Sequence, residues 1–166
     1  MAELARAVAL EPNSATPNSA MPNSAMPNTA MDVARGVSRL LLAEGLSPIV
    51  EFSLPNNRRL DVAALGPDGT IAGIKIKVSV ADLRADDKWP DYLSFCDLFF
   101  FAVPPEFPLD TLPSTTGLIV ADRFGGQIIR ESQRKMLHAS RRRALTLRFA
   151  MTAAERLVRA FDPHCS

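Results

Sequence analysis

Cysteine and histidine are nearly missing from this chain. Its two cysteines, Cys96 and Cys165, form no CxxC pair, so neither a disulfide framework nor a thiolate metal cluster can be built, and both read as reduced thiols. Cys96 lies among apolar residues and reads as core packing. His138 and His164 stand apart from any second ligand at a zinc spacing. No apolar run approaches the roughly 20 residues that cross a bilayer. The segment MAELARAVALEP lacks the basic start and sustained apolar stretch of a secretory signal. Walker, GxGxxG and GxSxG patterns are also missing. These absences exclude a disulfide scaffold, a zinc protein, a nucleotide-loop enzyme and a serine hydrolase of the common kind. The expectation is a cytoplasmic protein with no membrane partner.

What is present suits a single core. The chain has 166 residues, 47% apolar and 22% charged, a globular balance. Net charge is only +1, but it is unevenly placed. The segment from Asp122 onward carries +6 and the remainder −5, an asymmetry typical of a face that meets a polyanion. Residues 12 to 31 read PNSAT, PNSAM, PNSAM, PNTAM. Proline at every fifth position opposes continuous helix and ladder pairing, and Asn, Ser and Ala offer little core. The organisation expected is a disordered repeat tail over 1–31 and one folded domain over 32–163.

Within that domain, Asp32 is placed to cap a helix whose apolar face carries Val33, Val37, Leu40, Leu41 and Leu42. Gly45 and Pro48 end it. Strands follow at Ile49–Leu54, Arg59–Leu65 and Thr70–Val78, separated by Pro55-Asn56-Asn57 and Gly66-Pro67-Asp68-Gly69 turns. Ser79, with Asp82 three residues on, opens a helical segment to about Asp87, and Pro90–Phe95 forms another short helix. Leu98–Val103 and Gly117–Ala121 are apolar throughout and read as buried strands. Gln127–Arg130 makes the next strand. Ser140–Phe161 reads as a basic amphipathic helix with Leu145, Phe149, Leu157 and Phe161 on one face. The order α-β-β-β-α-β-β-β-α predicts an α/β fold with a mixed sheet flanked by helices.

The central hairpin holds the candidate chemistry. Asp61 lies inside the second strand, Lys75 and Lys77 inside the third, and Glu51 on the first. Residues two apart on a strand share a face, and a charge inside an apolar strand needs a partner or a task. Trp89 and Tyr92 beside Lys88 are aromatics that either stack on unpaired bases or pack the helix onto the sheet. Arg141, Arg142 and Arg143 open the last helix as phosphate contacts or as a solvated turn. Asp61 has its own bland alternative, pairing with Arg58, Arg59 or Lys77.

The segments RRLDV (Arg58–Val62), SVADLRADDKWPDY (Ser79–Tyr92), FFFAVPPEFP (Phe99–Pro108), GLIVAD (Gly117–Asp122) and RRRALTLRFA (Arg141–Ala150) resemble the bacterial MmcB-related DNA repair proteins, over roughly Val33 to Pro163. That family looks like the PD-(D/E)xK nuclease superfamily, so the resemblance implies a restriction-endonuclease-like core. It also implies a Mg²⁺ site in which two acids hold the ion through hard oxygens and a lysine orients the attacking water. Carried over by position, Asp61 fits the first acid, Lys77 the lysine and Glu51 a supporting acid, with Asp61 and Glu51 as metal ligands. The second acid belongs at position 75, where this chain has Lys75. An ammonium about 4 Å from another unit charge of like sign is opposed by roughly 4 kcal/mol at an effective dielectric of about 20, and by about twice that against Mg²⁺. The reading is therefore a DNA repair protein on a nuclease-like scaffold with impaired or lost Mg²⁺-dependent hydrolysis. Arg58, Arg59, Lys88, Trp89, Arg141, Arg142 and Arg143 are its candidate DNA contacts. A non-catalytic adaptor that docks DNA or a repair partner is the alternative. A homodimer is compatible with the superfamily.

Overall fold

The computed structural model describes residues 27–164; most of the repeat segment lies outside them. Helix α1 spans Ala30–Ala43 and begins inside the fourth repeat, three residues before the start that an Asp32 cap would give. The cap is Thr29, not Asp32. Thr29 Oγ1 accepts from the Asp32 backbone N–H at 3.1 Å, and the Asp32 carboxylate accepts from the Thr29 N–H at 3.1 Å. Asp32 is thus the third helical residue of a capping box, which satisfies two end donors at once.

Strands β1 (Ser47–Ser53), β2 (Arg59–Leu65) and β3 (Ile71–Ile76) form an antiparallel meander. Strands β4 (Leu98–Val103) and β5 (Gly117–Ala121) continue the sheet in parallel with β3, and β6 (Gly126–Arg130) turns back antiparallel. The six strands lie in sequence order. A parallel β3–β4 pair needs a long crossover; helix α2 (Val80–Arg84) and a 3₁₀ turn at Trp89–Tyr92 supply it. Both are shorter than expected. Helix α3 spans Ala139–Phe161.

Each sheet face is covered. Helix α1 sets Val33, Val37 and Leu41 on Val62, Ile74, Phe100 and Ile119. The opposite face packs Phe52, Leu60, Phe99 and Phe101 beneath Tyr92 and α3's Leu145 and Phe149. Leu40 is only half-buried and Leu42 is exposed, so the helix buries a narrower stripe than its sequence offers. Gly36 permits the close approach of α1: a Cβ there would lie 2.0 Å from the Asp122 carbonyl oxygen and 2.4 Å from that of Gly125. Arg39 fastens the same junction by donating to the carbonyls of Arg123 and Phe124. Among the described residues no helix is long and apolar enough to cross a membrane.

Candidate functional site

Beyond Val62, which pairs with Ile74, β2 and β3 part, while β3 stays with β4 through Lys75 and Ile76. Asp61 stands at this fork. Its Oδ2 accepts the Ile76 backbone N–H at 2.7 Å, so the carboxylate takes the place of a missing β2 partner. Its Oδ1 accepts from Lys75 Nζ at 2.9 Å, and the same ammonium donates to the Arg59 carbonyl at 3.2 Å. Lys75 also lies 5.4 Å from the centre of the Tyr92 ring. The Lys75 side chain is 13% exposed and that of Asp61 27%, so water screens this pair only in part.

Asp61, Lys75, Lys77 and Glu51 all line one cleft of about 670 Å³, walled on the other side by Ala30, Met31, Ala34 and Arg35 of α1. The fold brings together the four residues singled out in the sequence, but it pairs them off. Lys77 Nζ lies 2.8 Å from Asp86 and 3.6 Å from Asp82, and its side chain is 5% exposed. Glu51 lies 3.3 Å from the Arg59 guanidinium at the cleft mouth. It is also in the left-handed region, with φ 49°, and β1–β2 pairing skips it. The carbonyls of Val50 and Glu51 instead accept from Arg156 of α3.

This arrangement does not fit Mg²⁺. Both Asp61 oxygens already hold donors, Glu51 faces a guanidinium, and Asp82 and Asp86 face an ammonium. No cluster of three or more His, Cys, Asp or Glu gathers among the described residues. A hard dication needs several free anionic or carbonyl oxygens converging on one point, and Lys75 Nζ occupies that point.

The candidate DNA contacts divide. Arg58 pairs with Asp91 at 3.0 Å and Arg59 with Glu51. Trp89 is half-buried, its indole stacked on Phe99 at 5.9 Å and edge-on to Phe101 at 5.8 Å. It holds the 3₁₀ turn on the sheet and is not a free stacking platform. Tyr92 likewise stacks on Phe99 at 6.1 Å. Arg141 donates to the Ser94 carbonyl and lies over the Phe95 ring. Arg142 is structural: its two terminal nitrogens donate to Asp97 at 2.7 Å each, and one also donates to the Gly69 carbonyl. Lys88 and Arg143 are exposed and make no ion pair with a described residue, as do Lys135, Arg148 and Arg159.

Asp97, unremarked in the sequence, is the buried polar hub. Besides Arg142 it accepts the backbone N–H of Ile71 at 2.9 Å and of Leu137 at 3.0 Å. Burial pushes its carboxyl up, but the Arg142 hydrogen bonds, the two backbone donors and the Arg142 charge together hold it below the usual carboxylate range. The available signal was an acid placed directly before the all-apolar strand LFFFAV. Beside it, burial and then the Asp97 charge push the Cys96 thiol up to about 12.

The family model of MmcB-like DNA repair proteins matches residues 17–164. A solved protein of unknown function from Silicibacter pomeroyi is 41% identical, with a TM-score of 0.81 over 85% of this chain and 95% of that one. No curated protein matches significantly.

Proposed function

This chain belongs to the MmcB-like family of DNA repair proteins, and from that premise we propose that it binds DNA during repair without cutting it. The observation that carries the second half is the Asp61–Lys75 pair at 2.9 Å. A nuclease of this superfamily would need an acid at position 75 and an unengaged carboxylate at 61. Here the ammonium neutralises that carboxylate, and Lys77 is paired with Asp86 at 2.8 Å.

The first half rests on charge. Arg143 and Arg159 project from α3, Lys135 precedes it, and Lys88 is exposed just before the 3₁₀ turn. Lysine and arginine side chains free to reach phosphates give affinity that is largely independent of sequence and falls steeply with salt. Arg58, Arg59, Arg141 and Arg142 are already engaged within the fold and add little.

The test is fluorescence anisotropy with single-stranded, duplex and branched DNA across a salt series, paired with a cleavage assay in Mg²⁺ or Mn²⁺. We expect binding with a log–log salt slope of about −4 for some four phosphate contacts, and no cleavage. Metal-dependent cleavage abolished by Asp61→Ala overturns the non-catalytic half. Undetectable binding at low salt overturns the DNA half.

A further inference from the structure

Helix α3 has two apolar faces, and the fold uses only one. The inner face runs through Arg142, Leu145, Phe149, Ala153 and Arg156. Leu145 and Phe149 are buried, the Phe149 ring lies 5.7 Å from that of Phe52, and Arg156 is fastened to the carbonyls of β1. On the opposite side Ala144, Leu147, Met151, Ala154, Val158 and Phe161 are all exposed. Leu147 is 61% and Phe161 91% exposed. Their spacing alternates three and four residues, the seam of a heptad repeat, which is wrapped by a second helix in the same pattern. At 1.5 Å per residue the seam is about 26 Å long.

We propose that this seam is the interface with a second copy of the same chain, the two α3 helices lying antiparallel across a twofold axis. The choice of occupant and direction follows from the residues. An antiparallel pair centred between Thr152 and Ala153 sets Met151 against Ala154, Leu147 against Val158 and Ala144 against Phe161. Every layer then combines a larger side chain with a smaller one, as close packing requires. One flank brings Arg148 against Glu155 of the second copy, twice by symmetry, and continues that pattern with Arg141 against Asp162. The other flank is apolar, Ala150 against Leu157. A parallel pair would stack Ala154 on Ala154, leaving a void, and set Arg143 against Arg148. Self-complementarity of this kind is what an isologous interface demands. Arg148 and Glu155 are both exposed, and at seven residues apart they are two helical turns from each other within one chain, so an intrachain pair does not explain them.

The test applies sedimentation equilibrium and size exclusion with light scattering to the full chain. The expected mass is about twice the 18.1 kDa of the chain. Met151→Glu, at an exposed position that leaves the inner face untouched, should give a monomer with an unchanged circular dichroism spectrum. Arg148→Glu and Glu155→Arg should each weaken the dimer by about tenfold, and the double exchange should restore it. A monomer at every concentration, a dimer indifferent to Met151→Glu, or a dimer tightened by Arg148→Glu alone overturns the proposal; the last outcome indicates parallel helices. A chain that dimerises only after residues 1–26 are removed also overturns it, because its own N-terminal segment then covers the seam.

Discussion

Lys75 Nζ donates to Asp61 Oδ1 at 2.9 Å while Asp61 Oδ2 accepts the backbone N–H of Ile76, the residue after Lys75. One carboxylate therefore holds both a side chain and the backbone of the neighbouring strand, at the fork where β2 leaves β3. The pair closes the sheet there electrostatically.

Lys75→Met should destabilise the protein by about 1–2 kcal/mol, because Asp61 loses one charged donor but keeps its backbone donor and some access to water. Urea unfolding measures this. Lys75→Glu places a second carboxylate beside Asp61 and should lose more in chelator. Millimolar Mn²⁺ should then raise its melting temperature and leave that of the parent chain unchanged, since a ligand stabilises only the state that binds it. Equal responses of the two proteins to Mn²⁺ would contradict the assignment of Lys75 to the metal position.

Arg142→Met removes the counter-charge of a fully buried Asp97. At neutral pH the cost should be about 3 kcal/mol, chiefly the penalty of a stranded carboxylate. The pH dependence has a definite sign. In the parent chain the Asp97 carboxyl is held below its unfolded value, so its contribution is complete above the unfolded value and is lost as pH falls through the folded one. In the variant the lowering contacts of Arg142 are gone and burial, which raises the value, gains weight. Protonation of Asp97 then favours the folded state, and the gap between variant and parent should narrow on acidification from neutrality toward pH of about 4. Denaturant melts at several pH values check it. A gap that widens would refute the account.

Gly36→Ala should be destabilising although alanine favours helix by about 1 kcal/mol. The new Cβ meets two backbone carbonyl oxygens that cannot rotate away, and overpacking of that kind costs about 1–3 kcal/mol. Gly125→Ala has open space around its Cβ and is the control, with a melting temperature close to the parent's.

Cys96, buried and pushed up to about 12, should resist thiol reagents in the native protein at pH of about 8, where its thiolate fraction is negligible. In a Cys165→Ser background, Ellman's reagent should release no colour until denaturant is added, then one equivalent. Rapid native labelling would show that the region around Cys96 opens readily.

Mutating Arg143 and Lys135 together should lower the DNA salt slope by about 2, one for each phosphate no longer neutralised, whereas Lys75→Met should leave it unchanged. Anisotropy titrations across the salt series read both.

Local pattern and chain order were legible from the sequence by itself. The nine main elements in their order, the β1–β2–β3 meander, and the meeting of Glu51, Asp61, Lys75 and Lys77 in one cleft all follow from turn chemistry and strand periodicity between residues close in the chain, where short loops leave few alternative pairings. The bounds of α1, α2 and the 3₁₀ turn depended on which side chain reached which end group: Thr29 displaced Asp32 as the cap, and the Lys77–Asp86 pair lies just past the end of α2. Only the tertiary structure decided where charge ends up. Asp97 and Arg142 are 45 residues apart and meet because α3 crosses the sheet face. Glu51 adopts a left-handed backbone while its carbonyl and that of Val50 turn to Arg156. The expected single apolar face of α3 through Leu145, Phe149, Leu157 and Phe161 holds only for its first two members, since Leu157 and Phe161 are exposed. The sheet took Leu145 and Phe149 and left Leu147, Met151 and Val158 to solvent, because Asp97 and the carbonyls of β1 fix the helix's rotation through Arg142 and Arg156.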